Sequence, residues 1–113
     1  MTDEIRVEGL GLKPGVLDRI VMLAATQVEG VASVCGQGLA GRVQKGAPAK
    51  GVEVSVGEDG RVSVDIHIEA EYGRPLRSIA RALQEVIAEA IKSQIGAPIE
   101  SVDVFIDGVA FAG

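Results

Sequence analysis

The succession of periodicities along the chain predicts an α+β fold of two layers, in which two helices pack on one face of a small mixed β-sheet. Three observations carry this expectation. Residues 52–68 alternate apolar and polar side chains, residues 75–95 repeat apolar side chains at the spacing of one helical face, and residues 100–107 alternate again. Strand, helix and strand in one sheet require a right-handed crossover, so the last strand is expected parallel to the strand at residues 62–68 or to its neighbour. The expected order is roughly β-α-β-β-β-α-β.

Taken in order, Ile5 and Val7 alternate with Arg6 and Glu8, as a short strand would. From Pro14 the period changes. Val16, Ile20, Leu23, Ala24 and Val28 share one helical face, with Asp18, Arg19 and Glu29 off it, which predicts a helix over about 14–29. Pro14 suits the first turn, where its missing N–H costs nothing, and Gly30 suits the position after the last turn. Residues 31–35 form an apolar run that reads as a strand or the extended start of a loop.

Residues 36–51 read GQGLAGRVQKGAPAKG, a glycine-rich stretch carrying Arg42, Lys45 and Lys50 and no acidic residue. These cations supply +3 of a net charge of -5, which leaves -8 on the remainder and predicts an acidic molecule with one flexible basic flap. Val52, Val54 and Val56 then alternate with Glu53 and Ser55. After Glu58-Asp59-Gly60, the residues Val62, Val64, Ile66 and Ile68 alternate with Ser63, Asp65, His67 and Glu69. Asp-Gly between alternating strands signals a hairpin with a type I′ turn.

Pro75 opens the long helix, whose inner face is Leu76, Ile79, Ala80, Leu83, Val86, Ile87, Ala90 and Ile91, and Gly96 with Pro98 closes it. At 1.5 Å per residue its ~20 residues span ~30 Å, the width of a small domain. The last strand sets Val102, Val104 and Ile106 inward and Asp103, Phe105 and Asp107 outward.

A length of 113 residues fits a single domain, 1–113, with one core. With 47% hydrophobic, 24% charged and 3% aromatic residues, that core must be built from Val, Ile, Leu and Ala. A net charge of -5 and a pI near 4.8 exclude a general DNA-binding role and disfavour RNA. Cys35 is the single cysteine, so neither an internal disulfide nor a multi-thiolate zinc site can form, in keeping with a reducing cytoplasm. The start Met1-Thr2-Asp3-Glu4 is acidic where a signal peptide is basic, and no apolar run approaches the ~18 residues of a membrane span. Direct membrane insertion is not expected.

Several residue sets could carry chemistry. Asp65, His67, Glu69 and Glu71 lie on one side of a strand at ~6.5 Å intervals, with Glu53 on the neighbouring strand, and could hold a divalent metal or act in acid–base chemistry. With one histidine and no cysteine pair, a solvated sheet face is the expectation, and no cofactor or catalytic residue is assigned. Gly36, Gly38 and Gly41 spell G-x-G-x-x-G, but Gly46-Ala47-Pro48 cannot open the helix that would hold a pyrophosphate. Gly38-Leu39-Ala40-Gly41 spells the G-x-x-G of a KH-type RNA clamp without its two flanking helices.

Arg42, Lys45 and Lys50 could meet anionic headgroups, with a solubilising loop as the plainer alternative. Cys35 reads as a small residue at a strand end with no neighbouring base. Phe105, between Asp103 and Asp107 on the polar side of its strand, is either covered by another segment or exposed as an association surface.

Three segments, LDRIVMLAATQVEGVASVCG, KGVEVSVGEDGRVSVDIHIEAEYG and PLRSIARALQEVIAEAIKSQIGAPIESVDVFIDGVAF, resemble the alkaline shock protein family, the envelope stress response proteins of Gram-positive bacteria. The resemblance runs from about residue 5 to residue 111. Its distinctive parts are Val28-Glu29-Gly30-Val31, Tyr72-Gly73, Leu83-Gln84-Glu85-Val86, Val102-Asp103-Val104 and Asp107-Gly108-Val109. Asp103 stands where an amide is expected, and the chain ends at Gly113 without the long charged tail of some members.

The resemblance implies a non-enzymatic cytoplasmic interaction or scaffold protein, linked to cell-envelope stress and held at the membrane in some members by an anchor protein. The expected action is self-association as a homo-oligomer, or binding of such an anchor, through the sheet around Phe105, Asp103, Asp107 and His67. The alternative is a small RNA-binding module that uses the basic loop with Arg74, Arg77 and Arg81. A third is a metal-dependent enzyme on Asp65, His67 and Glu69.

Overall fold

The computed structural model describes residues 5–7, 9–13, 15–35 and 51–111. In chain order its elements are β1 (Ile5–Val7), β2 (Leu10–Leu12), α1 (Val16–Ala25), β3 (Val31–Val34), β4 (Val52–Val56), β5 (Val62–Glu71), α2 (Leu76–Gln94) and β6 (Ile99–Ala110). The expected Pro14 start of the first helix and the basic stretch 36–50 lie outside the described residues.

β5 is the axis of the sheet. Its alternation sends Val62, Val64, Ile66, Ile68 and Ala70 to one face, where each is fully buried, and leaves Ser63, Asp65, His67, Glu69 and Glu71 on the other. β6 pairs with it in parallel along one edge. The opposite edge is shared by two short antiparallel strands placed end to end, β4 against residues 62–66 and β3 against residues 68–70.

Both helices pack on the buried face, so the fold is α+β with two layers and a mixed sheet, as the sequence predicts. α2 spans 19 residues, about 28 Å, and sets Ile79, Leu83, Ile87 and Ile91 against the sheet. The crossover through α2 delivers β6 directly beside β5.

Some local features differ from the sequence expectation. The N-terminal stretch is a hairpin of β1 and β2 that turns back at Gly9 and forms a sheet of its own, instead of one strand. The β4–β5 hairpin closes through residues 57–61 instead of a two-residue turn. The Gly60 N–H donates to the Gly57 carbonyl, and the Asp59 carboxylate accepts from the Arg61 N–H.

α1 buries Leu17, Val21, Ala24 and Ala25, so its inner face is rotated from the expected one, and Val16 and Leu23 are exposed. The cause is composition. VLDRIVMLAA is apolar almost all round, so periodicity cannot choose a face, and contact with α2 and the sheet does. Leu76, in the first turn of α2, is also exposed.

Two glycines are required by close approach. Gly30 takes φ 99°, and a Cβ there would lie 2.8 Å from the Ile79 side chain. Gly51 packs so closely on the Cys35 carbonyl that no side chain fits.

These burials generate a contrast measurable by urea denaturation. Ile87→Ala empties a fully buried position and is expected to cost about 2–5 kcal/mol. Leu23→Ala, at a position 53% exposed, is expected to stay within about 0.5 kcal/mol. The expected inner face containing Leu23 would require the reverse order.

Candidate functional site

The alternation that buries one side of β5 also builds the opposite face, on which no described helix packs. Three strands contribute to it in register. Ser55, Ser63 and Ser101 form one cross-strand row, and Glu53, Asp65 and Asp103 form the next. Neighbouring strands lie about 4.8 Å apart, so the second row sets carboxylates side by side. Among the described residues no Lys or Arg forms an ion pair with these three acids.

The third row is centred on His67, which is bonded by its backbone and its ring. Its N–H donates 2.8 Å to the Gly51 carbonyl, and its carbonyl accepts from the Cys35 N–H at 2.9 Å. Cys35 and Gly51, distant in sequence, therefore meet at this residue. On its other side lies Phe105, the register partner of His67, whose ring stacks on the imidazole with centroids 4.7 Å apart and planes 15° apart.

Asp107 reaches the same imidazole through a register shift. Ile68 pairs with Ile106 but Glu69 with Gly108, so Asp107 is the extra residue of a bulge, and its Oδ2 lies 3.0 Å from His67 Nδ1. The Glu69 side chain lies over Gly108, where an added Cβ would be 3.2 Å from its Oε2.

At the far end of the two strands the register pairs Val109 with Ala70, so Val109 projects to the helix-side face, where it is exposed. Just past it Tyr72 and Phe111 stack at 4.6 Å, 64% and 80% exposed. Arg74 bonds Glu71 at 3.2 Å and lies 3.9 Å from Glu29, so one cation closes this end.

The structure thus brings His67, Asp103, Phe105 and Asp107 together, with Asp65, Glu69, Glu71 and Glu53 beside them. Phe105 is 43% exposed, stacked on the histidine and not enclosed. Arg77 and Arg81 are exposed on α2, in the other layer. Arg42, Lys45, Lys50 and the glycines Gly36, Gly38 and Gly41 lie outside the described residues. Among the described residues no three His, Cys, Asp or Glu side chains converge as a metal site.

Sequence reasoning missed the carboxylate row as a unit, because its register across β4, β5 and β6 is a tertiary property. It also missed the Tyr72–Phe111 stack, which joins residues far apart in sequence, and a shallow groove between α1 and α2 lined by Leu23, Ala24, Val86 and Ala90. The exposure of Leu23 belongs to that groove.

Comparison with known proteins gives concordant results. The model of the alkaline shock protein 23 family, with a cell envelope-related function, matches residues 3–111. The chain is 32% identical over 98 residues to the uncharacterized protein Spy1535 of Streptococcus pyogenes, covering 87% of this chain and 76% of that one. It is 28% identical over 103 residues to the uncharacterized protein YqhY of Bacillus subtilis, covering 88% and 76%. A solved structure of a MamM CTD variant shares the fold at 18% identity, with a TM-score of 0.50 over 87% of this chain and 92% of that one.

Cys35 reports on the electrostatics of this face. Burial pushes its thiol up, and the carboxylates of Asp107 and Glu69 push it further in the same direction. Because the thiolate is the nucleophile, alkylation by iodoacetamide near neutral pH should be slower than for an unstructured cysteine peptide. Asp107→Asn removes one of the two charges and should accelerate it. An unchanged rate in that variant would show that the carboxylate does not act on the thiol.

Proposed function

Because the chain belongs to the alkaline shock protein 23 family, whose function is cell envelope-related, we propose that it is an interaction domain that works through its open sheet face. One observation carries this reading: on a sheet whose central strand is fully buried on its opposite face, Phe105 stands half-exposed among the acids Asp103, Asp107, Glu53 and Asp65. An exposed aromatic side chain supplies contact area and the surrounding charges supply selectivity, the division found at protein interfaces. The domain acts by binding and not by catalysis.

Charge bears on which partner fits. A second copy presenting the same face would set carboxylates against carboxylates, so a chemically different protein suits the face better than an identical one. A phosphate backbone would meet the same repulsion, which disfavours the RNA-binding alternative. No described helix is long and apolar enough to cross a membrane. In this reading the partner is an anchor protein, reached from the cytoplasmic side, that holds the domain at the envelope.

The reading is tested by photocrosslinking in the native host. A photoreactive residue at position 105 is expected to capture a discrete protein, and one at position 77, on the helical layer, is not. Capture from position 77 alone, or from neither position, would remove the open face as the working surface.

A further inference from the structure

We propose that the open face and the adjoining edge of β6 receive an extended, basic segment of another polypeptide, in which two cationic side chains flank one apolar side chain at alternate positions. This inference rests on the interaction-domain reading above and names the chemistry of the partner.

The edge supplies the backbone half of the site. β6 is hydrogen-bonded to β5 on one side, and no described strand pairs with its other side. Its outward peptide groups can therefore bond an added strand, the mode by which sheet edges take up extended peptides.

The side chains supply the selectivity. Along β6 the residues facing the open side are Asp103, Phe105 and Asp107, an acid, an aromatic and an acid at alternate positions. A strand added beside β6 also presents alternate side chains to that face. Its best complement is therefore cation, apolar, cation, each opposite its counterpart.

Asp65 and Glu53 lie one and two strands further in, on the row of Asp103, and extend the negative field across the sheet.

Other occupants fit less well. A small polycation would satisfy the acids but leave Phe105 in water, and an anionic lipid surface would be repelled. A polypeptide segment that is both basic and apolar satisfies both parts.

The test uses the full chain and a labelled peptide containing one Lys-Thr-Phe-Thr-Lys segment, read by fluorescence anisotropy, with a peptide of identical composition in scrambled order and one with Glu in place of Lys. The alternating basic peptide is expected to bind best, and more weakly as salt rises. Asp103→Asn is expected to weaken it about 2- to 5-fold, and Phe105→Ala about 2- to 10-fold. Glu89→Gln, on the helical layer, should have no effect. Thermal melts of the three variants should match the parent, because all three side chains are exposed.

Equal binding of the scrambled or acidic peptide, or no effect of the β6 variants, overturns the proposal. Binding that emerges only when Arg42, Lys45 and Lys50 are changed to Gln assigns the face to the chain's own basic stretch and also overturns it. So does a dimer, seen by sedimentation, that Asp103→Asn strengthens and the peptide cannot compete away. If the peptide fails while position 105 still crosslinks to a protein in the host, the interaction-domain reading survives and this inference alone falls.

Discussion

Burial of one side of β5 is the constraint on which the other features depend. Val62, Val64, Ile66, Ile68 and Ala70 are each fully enclosed by the two helices. Because the side-chain period of a strand is two, that burial obliges the intervening residues to face the other way. A slip of one residue would bury Asp65, His67 and Glu69 and expose the valines and isoleucines, so the register is specified by a large difference in free energy. The neighbours inherit it: β4, β3 and β6 are aligned by hydrogen bonds to a strand whose orientation is already decided.

The chemistry of the open face is thus partly a by-product of the core. Any polar residue would satisfy the rule that the outward positions be wet. What distinguishes this chain is that Glu53, Asp65 and Asp103 fall on one row and that Phe105 sits on the next. Neighbouring carboxylates repel, but in water the repulsion is weak and screened, so the row is tolerated in the free protein. The same charges act strongly on an approaching chain once water is excluded between them.

His67 ties the parts of the face together. Its backbone holds the points where β3 ends and β4 begins, and its ring carries Phe105 on one side and Asp107 at its edge. The bulge that brings Asp107 to the imidazole interrupts the β5–β6 register without breaking the strand. An aromatic side chain that is stacked in this way stays exposed yet ordered, which lowers the entropy lost when a partner covers it.

Amino-acid order alone determined the α+β class, the strand–helix–strand crossover, the α2 helix ending near Gly96 and the two faces of β5, because each is written in a local period or a local terminator. It also placed Asp103, Phe105 and Asp107 on the outward side of the last strand. It could not choose the inner face of α1, where nearly every residue is apolar, nor foresee that the N-terminal stretch doubles back at Gly9. Only the tertiary structure decided that β3 and β4 share one edge of β5, that Glu53, Asp65 and Asp103 stand in one row, and that a bulge turns Asp107 onto His67. These are matters of register between segments distant in sequence, and register is decided by packing and hydrogen bonding across the sheet, which no local pattern encodes.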